Sequence, residues 1–130
     1  MSLLTKLILL ALAGAAGTIA RYGLAGLTQR LLGSAFPWGT AVVNLLGCLL
    51  VGVFWALVES RWQLSGTARA MLFIGFMGAF TTFSSFVLES AELFRTGQMA
   101  WGLLNIAGQN VLGLVLFVAG YQAARLMSGG

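Results

Sequence analysis

Polar side chains recur at intervals of four in a chain otherwise built from apolar residues. Thr40 and Asn44 share one helical face, as do Asn105 and Gln109, with Gly113 one turn further on and Asn110 alongside. Thr81, Ser85 and Glu89 make a third stripe where their segment is a continuous helix. In hydrocarbon such groups either hydrogen-bond helices together, at about 1 kcal/mol or less each, or line a wet path. For any single Ser or Thr the first role suffices. Asn44, Asn105, Gln109 and Asn110 are amides and costlier to bury, and with the hydroxyls of 81–85 they come from three segments at comparable depth. A polar pathway is the better reading of the set.

The donor inventory narrows the solute. Cation channels use acidic rings or carbonyls, and proton-coupled transporters need a titrating group within the membrane. The middles of the apolar runs hold no Asp, Glu or Lys; Glu89 and Glu92 come late in theirs, and the chain has no histidine. What remains is N–H and O–H donors in a protein of net charge +4, which suits a small anion better than a cation. Donors alone also suit water or a neutral solute. Cys48 is the single cysteine, so redox and metal enzymes are excluded as function classes, and no nucleic-acid partner is expected.

The elements that must position these residues are membrane helices. Of 130 residues 59% are hydrophobic and 8% charged, with mean hydropathy +0.95, far from a soluble composition. Residues 31–58, 70–88 and 96–124 are free of charge, and each exceeds the roughly 20 residues that a helix needs to cross a bilayer or comes close to it. A first span, Leu7 to Gln29, is interrupted by Arg21. It differs from a cleaved signal peptide in staying apolar beyond Arg21, and it is expected to be retained. The expected architecture is all-α and integral to the membrane, one domain of four transmembrane helices over 1–130, with Trp38, Trp62 and Trp101 at span ends where indoles favour the headgroup zone.

Lys6, Arg61, Arg69 and Arg125 fall on one side of such a bundle and Arg21, Arg30 and Arg95 on the other. Orientation normally follows an excess of Lys and Arg in cytoplasmic loops, and four against three is barely an excess. Either one residue of bias suffices, or the protein inserts both ways and pairs with an inverted copy. Four short helices also fill their own interior, so an ion path is expected to need a partner subunit. Gly14/Gly17 and Gly47/Gly52 are small-residue pairs that permit close helix contacts.

The stretch GFMGAFTTFSSF at 75–86 reads as a poor continuous helix, because glycine is flexible and hydroxyls compete for backbone groups. A break is expected near 78–82. Non-helical backbone at membrane depth must be buried in protein or face water or an ion, and freed carbonyls would suit a cation such as Na+. Phe83 and Phe86 share a face, and aromatic edges carry positive charge, although packing is the usual role of such rings. Phe73, Phe76 and Phe80 are expected only to pack.

GFMGAFTTFSSF, GAAGTIARYG at 14–23 and GTAVVNLLG at 39–47 together resemble the signature of the Fluc (CrcB) fluoride channels, in order along the four spans. That resemblance implies a passive fluoride-selective channel exporting cytoplasmic fluoride through the inner (plasma) membrane of a microbial cell. It implies a dual-topology antiparallel homodimer with two pores and a structural Na+ at the dimer interface. By position, Asn44 would be the pore asparagine and Phe83 and Phe86 the paired aromatic ligands. Gly78 and Thr81 would give main-chain oxygens to Na+, Arg21 would sit at a vestibule, and Thr40, Ser85 and Glu89 would lie near one end of the pathway. The fourth span departs from the family: Asn105, Gln109 and Gly113 stand where Tyr and Ser or Thr are usual. A small multidrug transporter, the rival with the same architecture, resembles its relatives in a first-span Glu, and 7–29 contains none. A non-transporting structural or regulatory membrane subunit is the remaining alternative.

Overall fold

The computed structural model describes residues 1–129, and those residues contain helices and no strand. α1 is Leu3–Leu32 and α2 is Trp38–Ser60. The third span, Gly66–Arg95, is composite: α3 (Gly66–Arg69) runs into a π-helical stretch, Ala70–Met77, then α4 (Gly78–Phe80), and after an interruption α5 (Phe83–Arg95). α6, Met99–Met127, completes four spans that are each long and apolar enough to cross a membrane.

Both ends of the bundle have their own tie. On one side the ring of Phe36, in the α1–α2 loop, lies 4.7 Å from Trp38 and 5.2 Å from Trp101. Gln29 holds the same loop, donating to the carbonyls of Gly33 and Phe36 and accepting from Gly39 N. On the other side Arg61 donates to the carbonyl of Met127, and Tyr121 Oη donates to Glu59 at 2.7 Å. The expected partition of loops between two faces therefore holds, with the tryptophans at span ends.

α2 is the central element, packed most extensively on α6, while α1 lies along the π-helical stretch and α4. Apolar side chains gain little by leaving lipid for one another, so the contacts depend on backbones coming close. A Cβ at Gly52 would run into the carbonyl of Phe117, and one at Gly120 into that of Leu49, so each glycine seats the opposite helix. Gly17 admits the carbonyl of Phe76 in the same manner. Gly47 and Gly52 thus serve contacts within one chain: Gly47 faces Thr81. Val43, Met77 and Phe80 form the buried centre, flanked by Leu46, Leu50 and Phe76. The packing role expected for the 73/76/80 rings is met, with Phe73 edge-on to Trp55 and Phe76 stacked on Phe80.

The third span breaks within the expected window but for a different local reason. Gly78 is helical, with φ −64° and ψ −33°; the non-helical pair is Thr81 (φ −91°, ψ 159°) and Thr82 (φ −149°, ψ 113°). The break also divides the expected Thr81/Ser85/Glu89 stripe. Thr81 Oγ1 turns back to the carbonyl of Met77 at 3.0 Å, while Ser85 and Glu89 belong to α5. The π-helical winding before the break had no sequence signal. It widens the helix over Ala70–Met77, the stretch that packs on α1.

Gly52→Val forces a branched side chain against the Phe117 backbone, and overpacking of this kind costs about 1–3 kcal/mol or more. A lowered thermal midpoint in detergent is the expected outcome, whereas Gly108→Ala, with open space at its Cβ, should melt close to wild type.

Candidate functional site

The interruption at 81–82 exposes backbone that a continuous helix would have paired, and one side chain from α2 takes most of it. Asn44 Oδ1 accepts from Thr82 N at 2.8 Å, and Asn44 Nδ2 donates to the carbonyl of Thr82 at 3.0 Å. This two-point clasp replaces a sheet-like or helical partner for Thr82 with an amide of matching geometry. Thr82 then starts α5: its Oγ1 accepts from Ser85 N at 3.2 Å and pairs with Ser85 Oγ at 3.0 Å, a side-chain cap of the new helix.

These bonds have a consequence for two carbonyls. In an uninterrupted helix Gly78 C=O would accept from Thr82 N–H and Thr81 C=O from Ser85 N–H. Both donors are engaged elsewhere, by Asn44 and by Thr82 Oγ1. The two residues expected to offer main-chain oxygens are those whose helical donors have been diverted, and Gly78 lies exposed on the surface of the chain.

Asn44 Nδ2 also donates to Gln109 Oε1 at 2.8 Å, so both of its N–H groups are used. Gln109 Nε2 donates to Asn105 Oδ1 at 2.8 Å, Asn105 Nδ2 to Ser90 Oγ at 2.9 Å, and Ser90 Oγ to the carbonyl of Phe86 at 2.7 Å. Three of the four amides singled out by spacing are therefore one connected network. Asn110 is separate, bonded to the carbonyl of Ile106 on its own helix. Asn105 is 1% exposed and stands behind Gln109. Ser90 and Thr82, which spacing did not single out as partners, complete the network.

Asn44, Gln109, Thr81, Thr82, Phe83 and Phe86 border a cavity of about 330 Å³, open on one side, together with Cys48 and Asn110. Phe86 is buried at 8% exposure; Phe83, 5.7 Å away between ring centroids, is 76% exposed and sits at the open side. One turn from Asn44 along α2, Thr40 donates to Glu89 Oε1 at 2.7 Å. Glu89 Oε2 is buried and accepts no hydrogen bond from the described residues. Glu89 also lines a second cavity of about 440 Å³, with Gln29, Glu92 and Gln98, toward the end where the 33–37 loop lies. Ser85 is half-buried beside the break. Arg21 is half-buried on α1, and the described residues offer it no ion-pair partner. The described residues hold no cluster of three His, Cys, Asp or Glu able to bind a metal through side chains.

The family model for CrcB-like protein, Camphor Resistance (CrcB), matches residues 8–121. The chain belongs to the CrcB family. Among curated CrcB relatives, the "Fluoride-specific ion channel FluC" of Desulforapulum autotrophicum is 49% identical over 122 residues, covering 94% of this chain and 98% of the relative. The protein of the same name from Nitrosococcus oceani is 48% identical over 122 residues, with the same coverage. That of Solidesulfovibrio magneticus is 50% identical over 125 residues, covering 96% of this chain and all of the relative. This CrcB chain is a multi-pass membrane protein, with its break and amide network inside the matched region.

Replacing Asn44 tests what holds the break of this CrcB protein. Asn44→Leu leaves Thr82 N–H and C=O unpaired and should cost several kcal/mol, about 1–3 kcal/mol for each orphaned group. Asn44→Asp keeps an acceptor for Thr82 N but loses both donors, so its thermal midpoint should fall between Leu and wild type. A Leu variant as stable as wild type would mean that the clasp does not hold the break.

Proposed function

We propose that the protein is a passive fluoride channel that lets cytoplasmic fluoride leave across the inner membrane, working as an antiparallel homodimer. The observation that carries this reading is the placement of uncharged polar side chains beside a pair of aromatic rings. Asn44, Gln109 and the Phe83/Phe86 pair border one cavity, with Thr40 one turn from Asn44 along α2, in a chain whose span middles lack acidic and lysine side chains. The names of the CrcB relatives support fluoride as the ion. Fluoride is small and tightly hydrated, so a pore must replace water's hydrogen bonds with fixed donors held in place by the fold. Amide N–H, hydroxyl O–H and the positive rims of aromatic rings are the replacements available here. No energy source beyond the membrane potential is needed: a cell interior that is electrically negative expels an anion down the voltage gradient.

What one chain leaves open supports the dimer in this reading. The cavity is unclosed on the side of Phe83, whose ring is three-quarters exposed at the depth of the helix break, and a second copy would cover it. The near-even division of Lys and Arg is compatible with insertion in both orientations, which an antiparallel pair requires. Gly78 and Thr81 carbonyls from each copy would then hold a Na+ at the interface, where the ion offsets the converging carbonyl dipoles. Thr40, Ser85 and Glu89 would line the approach to Asn44 and Gln109, and Arg21 a vestibule.

Fluoride efflux from proteoliposomes, followed with an electrode against a chloride control, tests the reading. Release of fluoride without chloride is expected; no fluoride release from correctly folded protein would leave a non-transporting subunit as the function. Replacing Phe83 or Phe86 by Ile removes the ring quadrupole and keeps apolar bulk. A lost edge contact of about 1.5 kcal/mol would lower flux about tenfold, with the elution volume of the folded protein unchanged. Normal efflux from both Ile variants would assign the rings to packing. Tags at both termini should be reachable from either side of the membrane in one population. A single orientation throughout would overturn the antiparallel dimer.

A further inference from the structure

The amide network has a fixed direction. Its first bond is given by Thr82 N–H, which can only donate, so the atom of Asn44 facing it must be Oδ1. Asn44 Nδ2 then donates onward, and Gln109 must turn its Oε1 toward it. Gln109 Nε2 therefore faces Asn105 Oδ1, Asn105 Nδ2 faces Ser90 Oγ, and the Ser90 proton goes to the carbonyl of Phe86, which can only accept. A backbone donor at one end and a backbone acceptor at the other leave no alternative arrangement of the side chains between them. Each amide oxygen in the series is turned to a donor within the protein. Gln109, which lines the cavity, keeps one N–H beyond the one it gives to Asn105.

We infer that Ser90 and Asn105, neither of which lines the main cavity, are positioning residues that, together with Asn44 on the other side, lock the Gln109 amide with its oxygen withheld and an N–H available to the anion in the path. The inference rests on the fluoride-channel reading for its consequence and on the hydrogen bonds alone for its structure. A glutamine free to rotate would present its oxygen as readily as its nitrogen, and an oxygen repels an anion where the nitrogen attracts it. Pinning the amide removes the unfavourable half of its orientations. It also explains how this chain uses amides in a helix where small hydroxyls, which reorient freely, would otherwise present a donor. Ser90 contributes through its hydroxyl in two roles at once, accepting from Asn105 and donating to Phe86, so removing it breaks the series at its anchored end.

The test compares Ser90→Thr, which keeps the hydroxyl, with Ser90→Val, which has the same shape without it, in fluoride-efflux measurements normalised to folded protein. Ser90→Val should lose flux about tenfold and Ser90→Thr should recover it to within about threefold of wild type. Ser90→Ala is the second hydroxyl-free variant, too small to crowd the α5–α6 contact, and should behave as Val does. Because the effect passes through Gln109, Ser90→Val should cause no further loss in a Gln109→Leu background. Wild-type flux in Ser90→Val and Ser90→Ala, or losses that multiply in the double variant, would overturn the inference. A wild type that releases no fluoride would sink the channel reading alone. The relay would then be judged by thermal midpoints, where coupled effects of Ser90→Val and Gln109→Leu are expected and additive effects would overturn it.

Discussion

The clasp between the Asn44 amide and the main chain of Thr82 is the interaction on which the rest of the site depends. A break in a membrane helix strands N–H and C=O groups in a medium with no water to satisfy them, at a cost of several kcal/mol each. Asn44 meets one donor and one acceptor of the same residue, within 3.0 Å for both. With Thr82 held, α5 can begin at Phe83 under a hydroxyl cap, and its first turn carries both Phe83 and Phe86 to the cavity. The same diversion of N–H groups frees the carbonyls of Gly78 and Thr81. Unpaired carbonyls and the polar lining of the cavity are thus two results of one interruption.

That clasp requires α2 and the third span to stand at a fixed distance, and the means is steric rather than adhesive. Glycines at positions such as Gly52 and Gly120 let α2 and α6 approach backbone to backbone, which brings Gln109 within reach of Asn44. Gly47 does the same for Thr81. Interhelical hydrogen bonds between membrane helices average only about 0.6 kcal/mol, so the polar network is too weak to draw the helices together without close packing. Packing sets the geometry, and the hydrogen bonds then choose the orientation of each polar group.

The resulting electrostatics differ from those of a charged pore. Lining groups are uncharged dipoles, of which Gln109 keeps an N–H not given to another residue, and the carboxylate of Glu89 is tied through one oxygen to Thr40 one turn from Asn44. Dipoles favour an anion less strongly than a lysine would and hold it less tightly. Weak, directional sites in series are what conduction needs, because an ion must leave each site as readily as it enters.

Much of this was legible in the sequence. Three charge-free runs and a first span interrupted by Arg21 gave four helices, because apolar length is sufficient for spanning a bilayer irrespective of partners. Four-residue spacing gave Thr40 with Asn44 and Asn105 with Gln109 on common faces, because that periodicity is a property of the helix itself. The three motifs gave the family, and the Thr/Ser cluster gave the window of the break. What only the tertiary structure decided is where each hydrogen bond goes. The break falls at Thr81 and Thr82 and not at the flexible Gly78, because Asn44, 38 residues away in sequence, captures the Thr82 N–H. Ser90 looks like one more helical serine until α6 places Asn105 against it. The π-helical winding of Ala70–Met77 lies against α1, and Asn110 is left out of the network, bonded to its own helix. Local sequence specifies which groups a helix offers; the relative position of helices decides which of them meet, because a hydrogen bond forms only within a few tenths of an ångström of its ideal length.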